Sequence, residues 1–308
     1  MIRTVRVPDV DDLGKAWKRV SAVLRPTPVD TTGNVWLKLE TTQPSGSFKV
    51  RGAIAAMRDL DPDVEVVTAS AGNHGLGVAT ATALLGARAT VVVPGNASPA
   101  KVSKLQAFGS VELIRVGTSY DEAEQHALSL THGVYVSPYN DPAVIAGQGT
   151  IGYELDAQVD GPMTVVCAIG GGGLASGLGL WASQRSDVRI VGVESAESVA
   201  MSETIKAGHD VEITVGDTIA DGITGNLEPG SVTVGLIRDH VHSLIRVTEA
   251  ELRHAIRYLA ANHGVVAEGA GAVPVAALLA GKVDVAGQPV AVISGRNIAL
   301  PILADVLA

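Results

Sequence analysis

The chain has 308 residues, 46% of them hydrophobic, and 23 Lys and Arg against 32 Asp and Glu leave a net charge of −9. That apolar content supports a sizeable core and excludes disordered and fibrous classes. The acidic balance, with no basic run, argues against a nucleic-acid partner. With 2 Phe, 3 Trp and 5 Tyr, the core must be aliphatic, which suits a parallel sheet covered by helices.

In chain order, the N-terminal MIRTVRVPDVDDLGKAW carries charges throughout and lacks the apolar stretch of a signal peptide, so a cytoplasmic location is expected. Short β-branched runs predict strands at 65–68, 89–93, 112–116, 164–169, 189–193, 244–247 and 290–293. Between them, Ala-rich stretches predict helices at 75–85, 99–108, 121–130, 144–157, 174–184, 249–262 and 273–279, with a short final helix after residue 297. Ser98-Pro99 reads as an N-cap and first helical residue, and Thr248 before Glu249-Ala250-Glu251 reads as a capping box. Strand–helix alternation over this length predicts an open, mostly parallel α/β architecture. Residues 163–184 carry no charge and are long enough to span a bilayer, with Gly173-x-x-x-Gly177 inside. Four successive glycines at 170–173 would each cost about 1 kcal/mol in a helix relative to alanine, so strand, glycine turn and helix is the better reading, and no membrane partner is expected. The lone Cys167, in an apolar run, reads as a buried inert thiol.

Open α/β sheets bind ligands where loops leave the carboxyl ends of strands, and four sequences qualify as sites. Ser45-Gly46-Ser47-Phe48-Lys49-Val50-Arg51-Gly52-Ala53 sets a lysine among small residues at the start of an Ala-rich helix. Desolvation and a helix N-terminus both lower an amine's pKa and favour the neutral form that imine chemistry needs; a solvated surface lysine is the alternative. Thr68-Ala69-Ser70-Ala71-Gly72-Asn73-His74-Gly75 exposes backbone N–H groups for a carboxylate or phosphate. Asn73 adds a donor there, and His74 reads as a structural contact rather than a proton shuttle. Ile169-Gly170-Gly171-Gly172-Gly173-Leu174-Ala175-Ser176-Gly177 lets amides converge on an anion, supported by the following helix dipole. It fits neither the Walker loop nor the dinucleotide glycine spacing, yet Glu194 at the end of the next strand keeps a nucleotide reading open. Ile293-Ser294-Gly295-Arg296-Asn297 brings a hydroxyl to the same crevice.

Together and in this order, these loops resemble the threonine dehydratase and serine racemase family. Further likeness lies in Arg25-Pro26-Thr27-Pro28, Lys38-Leu39-Glu40, DPAVIAGQGT from Asp141, Ala220-Asp221-Gly222, EGAGA from Glu268 and the closing SGRN. The resemblance implies a pyridoxal 5'-phosphate enzyme of the α/β class with the tryptophan synthase β-like fold (fold type II). Two open, mostly parallel α/β domains would flank the site: a large cofactor-binding domain from residues 1–60 and 142–308, and a small mobile domain at 61–141. It further implies that Lys49 holds the cofactor as an internal aldimine with Phe48 beside the ring, and that Asn73 bonds the ring's phenolic oxygen. Gly170, Gly171, Gly172, Gly173 and Leu174 would cradle the phosphate, and Ser294 would meet the pyridine nitrogen. Ser70, Ala71, Gly72, Asn73 and His74 would hold the substrate carboxylate, and Asn140 would also line the pocket. A homodimer follows by the same likeness.

A serine opposite the pyridine nitrogen does not maintain a pyridinium as a carboxylate would, so the ring withdraws fewer electrons, which suits β-elimination over transamination. The expected activity is therefore conversion of L-threonine, L-serine or a related β-hydroxy amino acid to a 2-oxo acid and ammonia. Ala71 stands where the family's racemases carry a serine base, so little racemisation is expected. Ala200 stands where members with a divalent metal carry an acid, so no metal is expected. Arg296 occupies a position where a small residue is usual, and either binds a substrate acid group or forms a surface salt bridge. Leu76 replaces a common glutamine without an evident consequence. Only residues 298–308 follow SGRN, so neither a regulatory domain nor isoleucine feedback is expected. A racemase or β-replacement enzyme of the same fold, a nucleotide-dependent oxidoreductase and a non-catalytic binding module are the competing readings.

Overall fold

A computed structural model describes residues 5–61 and 63–308; residues 1–4 of the expected large domain and Pro62 of the small one lie outside the described residues. The strands are β1 Val29–Asp30, β2 Trp36–Leu39, β3 Glu65–Ala69, β4 Ala89–Val93, β5 Val111–Arg115, β6 Gly133–Tyr135, β7 Met163–Ala168, β8 Val188–Ser195, β9 Ser243–Val247 and β10 Gln288–Ile293. The helices are α1 Val10–Ser21, α2 Lys49–Met57, α3 Asn73–Leu85, α4 Pro99–Gln106, α5 Tyr120–Ser129, α6 Pro142–Gln158, α7 Gly173–Ala182, α8 Ala200–Ala207, α9 Val232–His240, α10 Glu249–His263, α11 Gly269–Leu279 and α12 Leu300–Leu307.

The strands form two sheets, one ordered β1-β2-β10-β7-β8-β9 and one ordered β5-β4-β3-β6. All pairings are parallel except β1 with β2. Burial explains the strand sequences: every residue of β4 (ATVVV) and β7 (MTVVCA) is buried, the mark of parallel strands covered on both faces. Register fixes the site. Val290 lies opposite Val165 and Ile293 opposite Leu39, so the turns leaving β2, β7 and β10 emerge side by side.

The four-stranded sheet draws only on residues from Glu65 to Tyr135, and the six-stranded sheet on chain before and after them. One apolar cluster runs across that division: Val50 and Ile54 of α2 and Val144 of α6 pack with Val66, Val78 and Val136. The uncharged stretch at 163–184 forms β7, a glycine turn and α7. No helix among the described residues is long and apolar enough to cross a membrane. Cys167 is buried, and desolvation pushes its thiol up to about 12, so it stays protonated.

Candidate active site

Lys49 opens α2, and backbone bonds tie its approach to the turn after β10: Phe48 N donates to Ser294 O at 3.0 Å, and Ser47 bridges to Gly295. The ε-amine lies within the pocket on a half-buried side chain rather than on the open surface. It donates to Pro138 O at 2.8 Å and stands 5.2 Å from the centre of the Phe48 ring. Desolvation pushes its pKa down to about 8 against the opposing charge of Glu268, so a large share of the amine is neutral at mildly alkaline pH.

The glycine turn between β7 and α7 has no room for side chains. A Cβ on Gly171 would run into the Tyr139 ring, and one on Gly170 would lie 2.8 Å from Ile223 Cα. Gly172 has φ +86°, a left-handed conformation that glycine adopts without strain. No side chain caps α7, so its first amides remain available to an anion. Ser294, 2% exposed, reaches Ala270 O only at 3.5 Å, a weak bond that leaves the hydroxyl open to a pocket partner. Phe48, Lys49, Asn73, Gly170, Gly171, Gly172, Gly173, Leu174 and Ser294, separate in sequence, all line one pocket.

Within the 70–74 loop, Ser70 Oγ accepts from Gly72 N at 3.1 Å, and Ser70, Ala71 and Gly72 are half-buried beside Asn73. Of this loop, Asn73 reaches the pocket lining. His74 is buried beneath it, with Nε2 3.1 Å from Val136 O; desolvation, then the Lys49 charge, pushes it down to about 3. It is therefore neutral and a structural contact. Asn140 differs from expectation. It is buried, and its Oδ1 accepts from Val232 N at 3.1 Å, so it fixes the start of α9 while its neighbour Tyr139 faces the pocket. The Tyr139 hydroxyl accepts from Glu228 N at 2.7 Å, which holds the ring against the glycine turn.

Arg296 is exposed, and its guanidinium donates to Thr41 O. Glu194 is buried outside the lining of this pocket: its Oε1 accepts from Met201 N at 3.0 Å and Ser202 N at 3.3 Å, within the first turn of α8, while its Oε2 has no hydrogen-bond partner among the described residues. Glu268 and Asn297, which have no role assigned from sequence, are joined to the site through Asn73. Glu268 lines the pocket, and burial pushes its carboxyl up to about 7; Asn297 donates through Nδ2 to Asn73 Oδ1 at 2.8 Å. An acid heading an otherwise small and apolar GAGAV run was the available signal for the first. An apolar groove of about 280 Å³ lies elsewhere, lined by Ala250, Glu251, His254, Ala276, Leu279 and Ala280, without such converging donors.

An anion cradle that a Cβ would fill, a pocket amine of lowered pKa and a buried hydroxyl fit a phosphorylated aldehyde on a flat ring. That chemistry, set at the carboxyl ends of parallel strands, makes this an enzyme of imine chemistry. The comparison with known proteins agrees: the model of the pyridoxal-phosphate dependent enzyme family matches residues 20–295, and the chain belongs to that family. It is 42% identical over 276 residues to the L-threonine ammonia-lyase of Thermotoga maritima, covering 87% of this chain and 68% of that one. It superposes on the threonine deaminase of T.th. with a TM-score of 0.87 at 32% identity, covering 95% of this chain and 99% of that one. Maize serine racemase gives a TM-score of 0.88 at 29% identity, with 97% of each chain covered. The fold is that of the family, fold type II, and its cofactor is pyridoxal phosphate.

Proposed function

We propose that the protein is a dehydratase (ammonia-lyase) that converts L-threonine, L-serine or a related β-hydroxy amino acid to a 2-oxo acid and ammonia. The Lys49 amine of lowered pKa beside a side-chain-free anion cradle carries this reading. The names of the Thermotoga ammonia-lyase and the T.th. deaminase support the substrate class. When bound, pyridoxal phosphate supplies an electron sink for the α-carbon. The amides of residues 170–174 hold its phosphate, and Phe48 and Ser294 set the ring position. Ser294 offers the ring nitrogen a neutral hydroxyl and no fixed charge.

The 70–74 loop grips the substrate carboxylate with backbone N–H groups. The Lys49 amine, neutral in part because of its lowered pKa, would be the base that takes the α-proton of the bound substrate. The Cβ–O bond would break with the hydroxyl leaving as water, which balances with the proton that Lys49 has taken from the α-carbon. The released enamine isomerises and takes up water in solution, giving the 2-oxo acid and ammonia, so the net change is loss of ammonia. Ala71 has no titratable group and offers no second base on the opposite face of the α-carbon, which favours elimination over inversion. The division into a large domain (1–60 and 142–308) and a mobile small domain (61–141) belongs to the same reading: closure of the small domain would carry the 70–74 loop onto the substrate and exclude water. A cytoplasmic homodimer completes it.

The test is release of 2-oxo acid and ammonia from a panel of L-threonine, L-serine and β-hydroxy amino acids with a second carboxylate, with D-serine measured in parallel. Elimination is expected to exceed D-serine formation by on the order of tenfold or more, given the missing base. Rapid D-serine formation with little 2-oxo acid would identify a racemase instead.

A further inference from the structure

Glu268 takes no part in the steps above, yet it is the only carboxyl-bearing residue lining the pocket among those described. It stands at the N-cap of α11 but makes no capping bond with its side chain, so its carboxylate is directed elsewhere. Its Oε1 accepts from Asn73 Nδ2 at 2.5 Å, a bond spanning 195 residues of sequence. Asn73 Oδ1 in turn accepts from Asn297 Nδ2, which also donates to Ser45 O at 2.9 Å. This chain has one consistent polarity. The backbone carbonyl of Ser45 requires a donor from Asn297, which puts the Asn73 oxygen towards Asn297 and its nitrogen towards Glu268. One Asn73 N–H is thereby spent on Glu268 and the other is left for the pocket.

We propose that Glu268 is a positioning residue: as a carboxylate it locks the Asn73 amide so that the free N–H donates to the oxygen substituent of the cofactor ring, and on protonation the lock weakens. The inference rests on the cofactor role given to Asn73 above. The charged groups facing Glu268 are Lys49 from α2, Asp221 from the turn before α9, and Lys101 from α4, which pairs with Asp221 at 2.9 Å. Burial and then Asp221 raise its pKa to about 7, against the lowering influence of Asn73, the Asn297 backbone and Lys101. The lock is thus set above neutrality and released as pH falls through it.

The experiment uses holoenzyme carrying Glu268→Gln, Glu268→Asp or Glu268→Ala, with Lys49→Ala as a control. Circular dichroism confirms folding, and the readouts are the pH titration of the visible band of lysine-bound cofactor and the cofactor dissociation constant. The wild type is expected to show an ionisation near neutrality in that band. Glu268→Gln, which keeps an acceptor for Asn73, should retain cofactor and lose the ionisation, while Glu268→Asp should keep it with a moved midpoint. Glu268→Ala should bind cofactor about tenfold more weakly, the effect of one lost charge-assisted hydrogen bond. A wild-type band with no neutral ionisation, or the same ionisation persisting in Glu268→Gln, overturns the proposal; if Glu268→Gln does not fold, an unmoved midpoint in Glu268→Asp overturns it as well. Absence of the band from wild type instead sinks the cofactor reading, and the inference with it.

Discussion

Replacing Lys49 with alanine is expected to lower turnover by on the order of 10⁴-fold or more, because one amine both holds the cofactor and moves the α-proton. The visible band of lysine-bound cofactor should vanish while the far-UV spectrum stays that of the wild type, since the side chain stands in a pocket and not in an apolar core cluster. Steady-state release of 2-oxo acid and the absorption spectrum check both. The lowered pKa adds a kinetic signature. Only the neutral amine attacks an aldehyde, so the rate of cofactor loading by apo-enzyme should rise with pH through about 8 and level off above it. Loading that falls over that range, or turnover retained in the variant, would contradict the assignment.

The second large effect lies beneath the site. Arg51, two residues beyond Lys49, donates to Glu40 through Nε at 2.7 Å and Nη2 at 2.8 Å, and to Glu154 through Nη1 at 2.6 Å. Lys38 Nζ joins the cluster, 2.6 Å from Glu154 and 2.7 Å from Thr27 O. All four charged side chains are at most 3% exposed, and their charges cancel. Burial alone would raise the Glu40 carboxyl, but the Arg51 guanidinium overrides it and holds the group below its usual range. Arg51→Ala leaves two buried carboxylates facing one ammonium, so unfolding free energy should fall by about 3–5 kcal/mol, the range for breaking a buried ion pair. Urea denaturation measures it, and a loss below about 1 kcal/mol, the range of an exposed pair, would show that the cluster does not hold this part of the fold. Because the Glu40 pKa is depressed, its contribution is present above the ordinary glutamate range and is lost as pH falls through the folded value.

Much of the sheet architecture is legible in sequence because its strands are short β-branched runs, continuously buried in β4 and β7. The predicted 89–93 strand coincides with β4, and the others differ from β3, β5, β7, β8, β9 and β10 by a few residues at their ends. β2 was missed for a physical reason: Lys38 interrupts WLKL and reads as exposed, whereas it is buried in the ion cluster. β6 has three residues and gives no periodic signal. α1 was missed although Asp9 and Asp12 form a capping box, with aspartate in place of the usual glutamate. α11 begins at Gly269, ahead of the expected 273, because its glycines serve close contact: a Cβ on Gly269 would run into Ile219 O. In the site, the glycine turn and Lys49 carry their chemistry in local sequence. Glu268 and Asn297 act through partners far along the chain, and their connection to Asn73 exists only once both sheets are assembled. Asn140 shows the converse: a polar residue beside the pocket whose side chain serves the backbone of α9.

The central claim is a covalent attachment at a single position. Borohydride reduction of the protein loaded with pyridoxal phosphate, followed by proteolysis and mass mapping, should find the pyridoxyl group on the peptide containing Lys49. Stable labelling of a different lysine, or none in protein that has taken up the cofactor, would contradict it.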